Sequence, residues 1–143
     1  MYKTTEELER FVNEVYDRLA PLAKRDNIYV PLDVVFGAEL SPDYEGFHCY
    51  TERTGYRHCY TERGEVKIKN STSSLFDITY WLIKDRITMM ASKYKSQFEI
   101  PGCDLRRLMF SKELELFQEL GGNYKRRAEI DIEEILKEHP FED

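Results

Sequence analysis

The sequence predicts an α+β protein with an N-terminal helix, a small antiparallel β-meander of three or four strands, and three C-terminal helices packed on that meander. Apolar residues recur with a helical period near both ends of the chain. Between residues 47 and 70, β-branched and aromatic residues are interrupted by turn signals. Strand and helix runs are kept apart rather than alternating, which is typical of α+β folds. At 143 residues, we expect a single domain over residues 1–143.

The N-terminal segment predicts one helix followed by an irregular stretch. Thr4-Thr5-Glu6-Glu7 has the form of a capping box, which begins a helix. The apolar residues that follow lie on one helical face: Leu8, Phe11, Val12, Val15, Leu19, Leu22 and Ala23. Prolines and glycines break residues 28–46, where we expect only a short strand at residues 32–36.

A hexapeptide, His-Cys-Tyr-Thr-Glu-Arg, occurs twice in the chain, at residues 48–53 and again at residues 58–63. Thr54-Gly55 and Arg63-Gly64 are turn signals beside the two copies. The pattern therefore predicts strands at residues 47–53, 56–62 and 65–70.

Three helices are predicted after the meander. The serines and threonine of residues 71–74 offer N-caps for a long helix over residues 74–97, whose wide apolar stripe is typical of a central helix. A third helix is predicted from Asp104, a good N-cap, to Leu120, and the Gly121-Gly122 pair ends it. A fourth is predicted over residues 123–138, with Ile132, Ile135 and Leu136 facing inwards.

Composition and charge favour a cytoplasmic protein with a protein partner. We find no apolar run of membrane-spanning length and no signal peptide, and three cysteines fit reduced thiols better than a disulfide framework. The net charge of −6 is uneven: residues 1–46 carry −5, residues 47–100 carry +3 and residues 101–143 carry −4. Acidic ends disfavour nucleic acid and favour a basic protein partner.

The two histidines and two cysteines of the repeat suggest metal or thiol chemistry, but the predicted strands oppose both. Side chains alternate along a strand, so His48 and Cys49, like His58 and Cys59, point to opposite faces, whereas zinc needs converging ligands. We therefore predict no metal site and no cofactor. A Cys–His nucleophile would need diagonal contact on one face and oxyanion donors that a flat hairpin lacks, so we expect no enzyme activity and no small-molecule substrate.

A nucleic-acid-binding domain is the alternative that the sequence leaves open. The meander carries five basic residues among three tyrosines that could stack on single-stranded bases. Acidic residues are interleaved with them, which indicates cross-strand ion pairs instead. The residues concerned are Arg53, Arg57, Arg63, Lys67 and Lys69, with Tyr50, Tyr56 and Tyr60.

From residue 45 onwards, the order of landmarks resembles the immunity protein 63 family of bacterial polymorphic toxin systems. The landmarks are the tyrosine-rich hairpin at residues 56–64, Tyr80-Trp81, residues 87–91 with Tyr94, Pro101-Gly102-x-Asp104-x-Arg106-Arg107-x-x-Phe110, residues 113–116 and residues 135–141. The resemblance implies a non-catalytic cytoplasmic protein that binds a cognate secreted toxin domain, one to one, and neutralises it. It gives no expectation for residues 1–45 or for the doubled hexapeptide.

Two groups of residues follow as predictions. For toxin contact we expect exposed meander residues, with the acids of the last helix as second choice: Glu52, Arg53, Arg57, Glu62 and Arg63 with Tyr50, Tyr56 or Tyr60 as aromatic anchors, then Glu133, Glu134 and Glu138. We expect the motif residues to maintain the fold. Asp104 would cap its helix, Arg106 or Arg107 would pair with a buried acid such as Asp85, and Trp81 and Phe110 would lie in the core.

Overall fold

A computed structural model describes residues 1–38, 40–98 and 101–143, and it has the predicted α+β order. The irregular stretch predicted over residues 28–46 includes Glu39, which lies outside the described residues. The elements are α1 (Thr5–Asp17), α2 (Ala20–Arg25), β1 (Val35–Phe36), β2 (Gly46–Glu52), β3 (Gly55–Glu62), β4 (Glu65–Thr72), α3 (Leu75–Lys95), α4 (Arg106–Leu120) and α5 (Gly122–Glu138). Within the described residues, none of the helices has the length and apolar character that crossing a membrane requires.

The chain divides into two compact units. The first comprises Met1–Glu14 and Leu32–Ile83, and the second comprises Val15–Pro31 and Lys84–Asp143. A single domain over residues 1–143 stays a prediction.

The predicted N-terminal helix is interrupted. Its capping box forms as expected, because the Thr4 N–H donates to Glu7 Oε1 (2.9 Å) and the Glu7 N–H donates to Thr4 Oγ1 (3.1 Å). The single helix predicted through Ala23 is wrong, since α1 ends at Asp17 and α2 begins at Ala20. Pro21 explains the break: it has no N–H to donate, and its ring would meet the carbonyl four residues earlier, at Asp17.

The first unit contains a four-stranded sheet in the order β1-β2-β3-β4. β2, β3 and β4 form the predicted antiparallel meander, while the short β1 pairs with β2 in parallel. Glu52 pairs with Gly55, and Glu62 pairs with Glu65, so both hairpins have two-residue loops. The first loop is therefore Arg53-Thr54 rather than the Thr54-Gly55 that the sequence suggested.

In the second unit, α4 and α5 are separated by Gly121, whose φ of +139° is a conformation that favours glycine. The side chains buried in this unit include Leu19, Ile87, Leu116 and Leu120. Arg18 Nη1 donates to the carbonyl oxygen of Leu120 at 2.7 Å, which satisfies one of the free carbonyls at the end of α4.

Two positions that we expected in the core differ. Trp81 is half-buried, and the neighbouring Tyr80 is buried in its place. Ile135 was expected to face inwards on α5, but it is 42% exposed, and the residues buried on α5 are Tyr124 and Ala128. The buried face of α5 therefore lies towards its N-terminal half. Phe110 is buried, as predicted.

Candidate functional site

The doubled hexapeptide lies on β2 and β3, where the two copies run antiparallel beside each other. His48 is the register partner of Cys59, and Cys49 is the partner of His58. Each sheet face therefore receives one histidine and one cysteine, as strand alternation predicts. These pairs are directly opposite, not diagonal as we expected, because the loop begins one residue earlier. Among the described residues, no group of three or more His, Cys, Asp or Glu side chains is arranged to hold a metal ion.

His48 is a fully buried histidine whose ring nitrogens both have partners. Its Nδ1 lies 3.0 Å from the carbonyl oxygen of Gly37, and its Nε2 lies 2.8 Å from Thr61 Oγ1. Because a carbonyl only accepts, Nδ1 donates to Gly37, and the Thr61 hydroxyl is the partner of Nε2. The ring also stacks on Tyr50, with the centroids 5.9 Å apart. His48 therefore serves the packing of the sheet.

The two thiols of the repeat are buried and poorly suited to nucleophilic chemistry. Burial, with a smaller effect of the nearby Cys59, raises the pKa of the Cys49 thiol to about 12. Burial also raises the pKa of the Cys59 thiol, against the opposing hydrogen bond with Tyr50. Reactive cysteines have lowered pKa values, so these thiols remain protonated at neutral pH.

The predicted contact residues differ widely in exposure. Glu52, Arg53, Glu62 and Arg63 are exposed, and Tyr60 is half-exposed. Tyr56 and Tyr50, however, are only 2% and 9% exposed. The expectation that these two tyrosines serve as surface anchors is therefore wrong. The nucleic-acid alternative required three tyrosine rings for base stacking, and two of them are buried.

Contacts explain the burial of Tyr56 and the restraint on Arg57. The Tyr56 hydroxyl oxygen accepts from the Lys3 N–H at 2.9 Å, and the Tyr2 ring packs edge-on against the Tyr56 ring at 5.7 Å. The Arg57 guanidinium donates to Thr54 Oγ1 at 2.6 Å and lies 3.5 Å from the Glu52 carboxylate. Arg57 is therefore engaged within the first hairpin.

The exposed members of the predicted contact set do not form one patch. Glu52 and Arg53 lie at the β2–β3 turn, whereas Glu62 and Arg63 lie at the β3–β4 turn. These turns are at opposite ends of the eight-residue β3, which spans roughly 25 Å at about 3.3 Å per residue. The acids of the second-choice set, Glu133, Glu134 and Glu138, are exposed on α5 in the other unit.

Exposed apolar side chains that were not among the predicted contact residues lie on β2 and β4, with Phe47 on one face of the sheet and Val66 and Ile68 on the other. Phe47, Val66 and Ile68 are 44%, 51% and 57% exposed. The Phe47 ring packs edge-on against Tyr60 at 4.8 Å, and the Lys69 ammonium lies over the Phe47 ring at 4.7 Å. In the sequence, the alternation of Val66 and Ile68 with lysines is the signal of a strand with one apolar face.

The Asp104 and Arg106 motif secures the C-terminal tail. Asp104 Oδ1 accepts from the Arg106 N–H at 3.0 Å, consistent with a cap, and Asp104 Oδ2 accepts from the Glu142 N–H at 2.9 Å. Hydrogen bonds from the Arg106 guanidinium, then those two N–H groups, hold the pKa of Asp104 well below its usual range. Arg106 also donates to the carbonyl oxygens of His139 and Pro140.

The predicted pairing of Arg106 or Arg107 with Asp85 is wrong. Arg106 pairs with Asp104, and Arg107 pairs with Asp143, while Asp85 is exposed. For Arg106, the acid two residues away competes better than Asp85, because less chain has to be ordered. Phe141 lies beside Phe110, at 6.1 Å between centroids, and its ring faces the Arg107 guanidinium at 4.1 Å.

Two charged side chains of α4, Lys112 and Glu113, are buried. Lys112 Nζ donates to Asp26 Oδ2 at 2.5 Å and to Glu115 Oε2 at 3.0 Å. Burial alone would lower the pKa of Lys112, but these hydrogen bonds outweigh it and raise that pKa. Burial raises the pKa of the neighbouring Glu113, against a hydrogen bond with Thr88. Buried charged groups require partners. Because Lys112 and Glu113 both have such partners within the fold, their contacts indicate structural roles.

Comparison with known proteins identifies the class. Residues 52–134 match the model of the family described as Immunity protein 63, which is more than half of the chain. The chain therefore belongs to the immunity protein 63 family. The matched segment begins at the end of β2 and includes the meander loops, α3, α4 and most of α5. No curated protein and no solved structure matches the chain.

Proposed function

We propose that this protein is a cytoplasmic immunity protein that binds a cognate secreted bacterial toxin domain, one to one, and neutralises it without catalysis. The observation that carries the proposal is the family match over residues 52–134. The satisfied histidine and the protonated thiols of the repeat support a binding role over a chemical one. We expect the protein to block the toxin's active site or its substrate path.

For the contact surface, we propose the exposed part of the meander. Glu62, Arg63 and Tyr60 lie towards the β3–β4 turn, close in the sheet to Phe47. An aromatic pair flanked by charged residues is typical of a binding hot spot with a polar rim. Glu52 and Arg53 at the other turn are a second part of the proposal, and Glu133, Glu134 and Glu138 on α5 remain the second choice.

Co-expression tests the function. The protein, carrying an affinity tag, would be produced with the C-terminal toxin domain encoded immediately upstream of its gene. We expect co-purification as a one-to-one complex and rescue of growth in cells that make the toxin. Growth arrest despite a folded, abundant protein would contradict the proposal.

Charge reversal tests the surface. The double variant E62K/R63E should weaken toxin binding by at least about tenfold if the β3–β4 turn lies in the contact, since mispaired interface charges cost several kcal/mol. The variant E133K/E134K on α5 tests the second-choice surface in the same way, although it raises the net charge, whereas E62K/R63E leaves the net charge unchanged. Unchanged affinity in both variants would reject both surfaces.

Thiol labelling tests the absence of cysteine chemistry. At pH 8, a thiol with a pKa of about 12 carries roughly a thousandfold less thiolate than an ordinary cysteine. We therefore expect iodoacetamide to label Cys103, which is partly exposed, before Cys49 or Cys59. Rapid labelling of Cys49 or Cys59 in the folded protein, measured by mass spectrometry, would revive a thiol-dependent activity.

A further inference from the structure

Among the described residues, β4 has no neighbouring strand on one of its long sides, and the β3–β4 turn determines which of its backbone groups point to that side. Arg63 and Gly64 form the two-residue β3–β4 loop and have φ values of +52° and +76°, as a type I′ turn requires. The flanking pair Glu62–Glu65 is then a hydrogen-bonded pair. From there along the two strands, non-hydrogen-bonded and hydrogen-bonded pairs alternate. Val66 and Ile68, opposite Thr61 and Cys59, therefore turn their N–H and C=O groups away from β3.

The same alternation can be checked on β2, where the outward groups have partners. If Glu52–Gly55 is a hydrogen-bonded pair, the N–H and C=O groups of Cys49 and Thr51 point away from β3. The Cys49 carbonyl accepts from the Gly37 N–H at 2.9 Å, and the Thr51 N–H donates to Thr5 Oγ1 at 3.0 Å. β2 is thus covered on its outer side. For β4, the described residues 1–38, 40–98 and 101–143 supply no strand beyond β3.

The side chains of β4 give this open edge two chemically different faces. Val66 and Ile68 share one face and are both more than half exposed. Lys67, opposite Tyr60, and Lys69, over the Phe47 ring, lie on the other. An exposed strand with β-branched residues on one face is a ready template for another strand.

We propose that β4 binds the cognate toxin domain by strand addition, with a toxin strand that alternates apolar and acidic residues as the occupant. Its backbone would pair with the N–H and C=O groups of Val66 and Ile68. Its apolar side chains would lie beside Val66 and Ile68, and its carboxylates would face Lys67. The inference rests on the proposed function and specifies how the partner is held.

Charge favours this occupant over a second copy of the chain. Two β4 strands side by side would bring lysines against lysines, and like charges opposite each other in a sheet are destabilising. Lysines on an edge strand protect against such self-pairing. The protein is otherwise acidic, with a net charge of −6, so the basic β4 edge is where an acidic strand meets least repulsion.

Amide hydrogen exchange tests the proposal on the unaltered protein. With the upstream-encoded toxin domain as the probe, NMR would follow the N–H groups of Val66, Lys67 and Ile68. In the free protein, we expect fast exchange at Val66 and Ile68 and slow exchange at Lys67, whose N–H faces β3. Saturating toxin domain should slow exchange at Val66 and Ile68 at least about tenfold, because paired amides are protected.

Proline substitution gives a second readout. Ile68→Pro removes one outward N–H and leaves the β3 ladder complete, which an edge strand tolerates, and Val66→Pro does the same two residues earlier. We expect each to weaken toxin binding about tenfold or more, since an unmade hydrogen bond leaves a buried acceptor unpaired. Ile68→Thr is the matched control: it keeps the N–H, and its binding should weaken less.

The possible outcomes distinguish failure of strand addition at β4 from failure of the proposed immunity function. If the wild type forms the complex and Val66 and Ile68 still exchange fast, strand addition is wrong while the immunity proposal stands. If their exchange slows with protein concentration alone, the edge is a self-association surface and the proposal is also wrong. Absence of any complex with the wild type would overturn both.

Discussion

The two copies of His-Cys-Tyr-Thr-Glu-Arg have the same sequence and different surroundings. Tyr50 in the first copy is buried, and Tyr60 in the second is half-exposed beside Phe47. Thr61 Oγ1 is hydrogen-bonded to His48, whereas Thr51 Oγ1 is buried and has no hydrogen-bond partner among the described residues. The antiparallel register places equivalent residues on opposite faces, so tertiary position, and not local sequence, decides what each residue does.

Of the paired positions in the two copies, the next glycines along the chain, Gly55 and Gly64, should differ most in the stability cost of substitution. At Gly55, a Cβ atom would lie 2.5 Å from the Thr72 carbonyl oxygen, and φ is +137°. At Gly64, φ is +76°, and among the described residues other than its two chain neighbours none has an atom within 4 Å of a Cβ position. We expect Gly55→Ala to lower the free energy of unfolding by about 3 kcal/mol or more, and Gly64→Ala by about 1 kcal/mol.

Urea denaturation followed by circular dichroism measures both variants. Equal losses would show that positive φ alone, which the two glycines share, sets the cost. The close approach of Thr72 to Gly55 would then be unimportant.

Tyr50 and Tyr60, the equivalent tyrosines of the two copies, should show the second-largest difference in stability cost. Tyr50→Ala removes a buried ring that stacks on His48, and we expect a loss of about 3 kcal/mol in the free energy of unfolding. Tyr60→Ala removes a half-exposed ring, with an expected loss of about 1 kcal/mol or less. Binding to the toxin domain should show the reverse order, because Tyr60 belongs to the proposed contact surface. Thermal unfolding together with affinity measurement checks both, and a stability loss at Tyr60 matching that at Tyr50 would be the contrary result.

The paired threonines should give the smallest difference. Thr61→Val leaves His48 Nε2 buried without its partner, and we expect a loss of about 1–3 kcal/mol. Thr51→Val replaces a buried hydroxyl that has no described partner by a methyl group of similar size, so its stability should be unchanged or slightly higher. Chemical denaturation of the two variants side by side measures the difference. Destabilisation by Thr51→Val as large as that by Thr61→Val would be inconsistent with the hydrogen-bond assignment.

The positions of the helices and strands were predicted better from the sequence than the burial of their side chains. The capping box, the three long strands and the C-terminal helices follow from local patterns, and each lies within a few residues of its predicted bounds. The first turn was misplaced by one residue because Gly55 was assigned to the loop. In the structure, Gly55 begins β3, where its missing side chain permits the close approach of Thr72.

Burial in the meander could not be predicted because it depends on distant segments. Tyr56 is covered by Tyr2 and Lys3, which are more than fifty residues away in the chain. His48 contacts Thr61, which is thirteen residues away on β3. Such contacts leave no periodic signal in the strand itself. The exposed alternation of Val66 and Ile68 with lysines was visible in the sequence, but only the sheet order identifies β4 as an edge.

The central claim is that the protein neutralises a toxin by binding it. Calorimetric titration of the purified toxin domain with this protein, paired with an assay of the toxin's own activity, tests that claim most directly. We expect a one-to-one complex with a Kd of about 1 μM or tighter and toxin activity that falls in proportion to the complex formed. Toxin activity that persists undiminished in a stoichiometric excess of folded protein would contradict it.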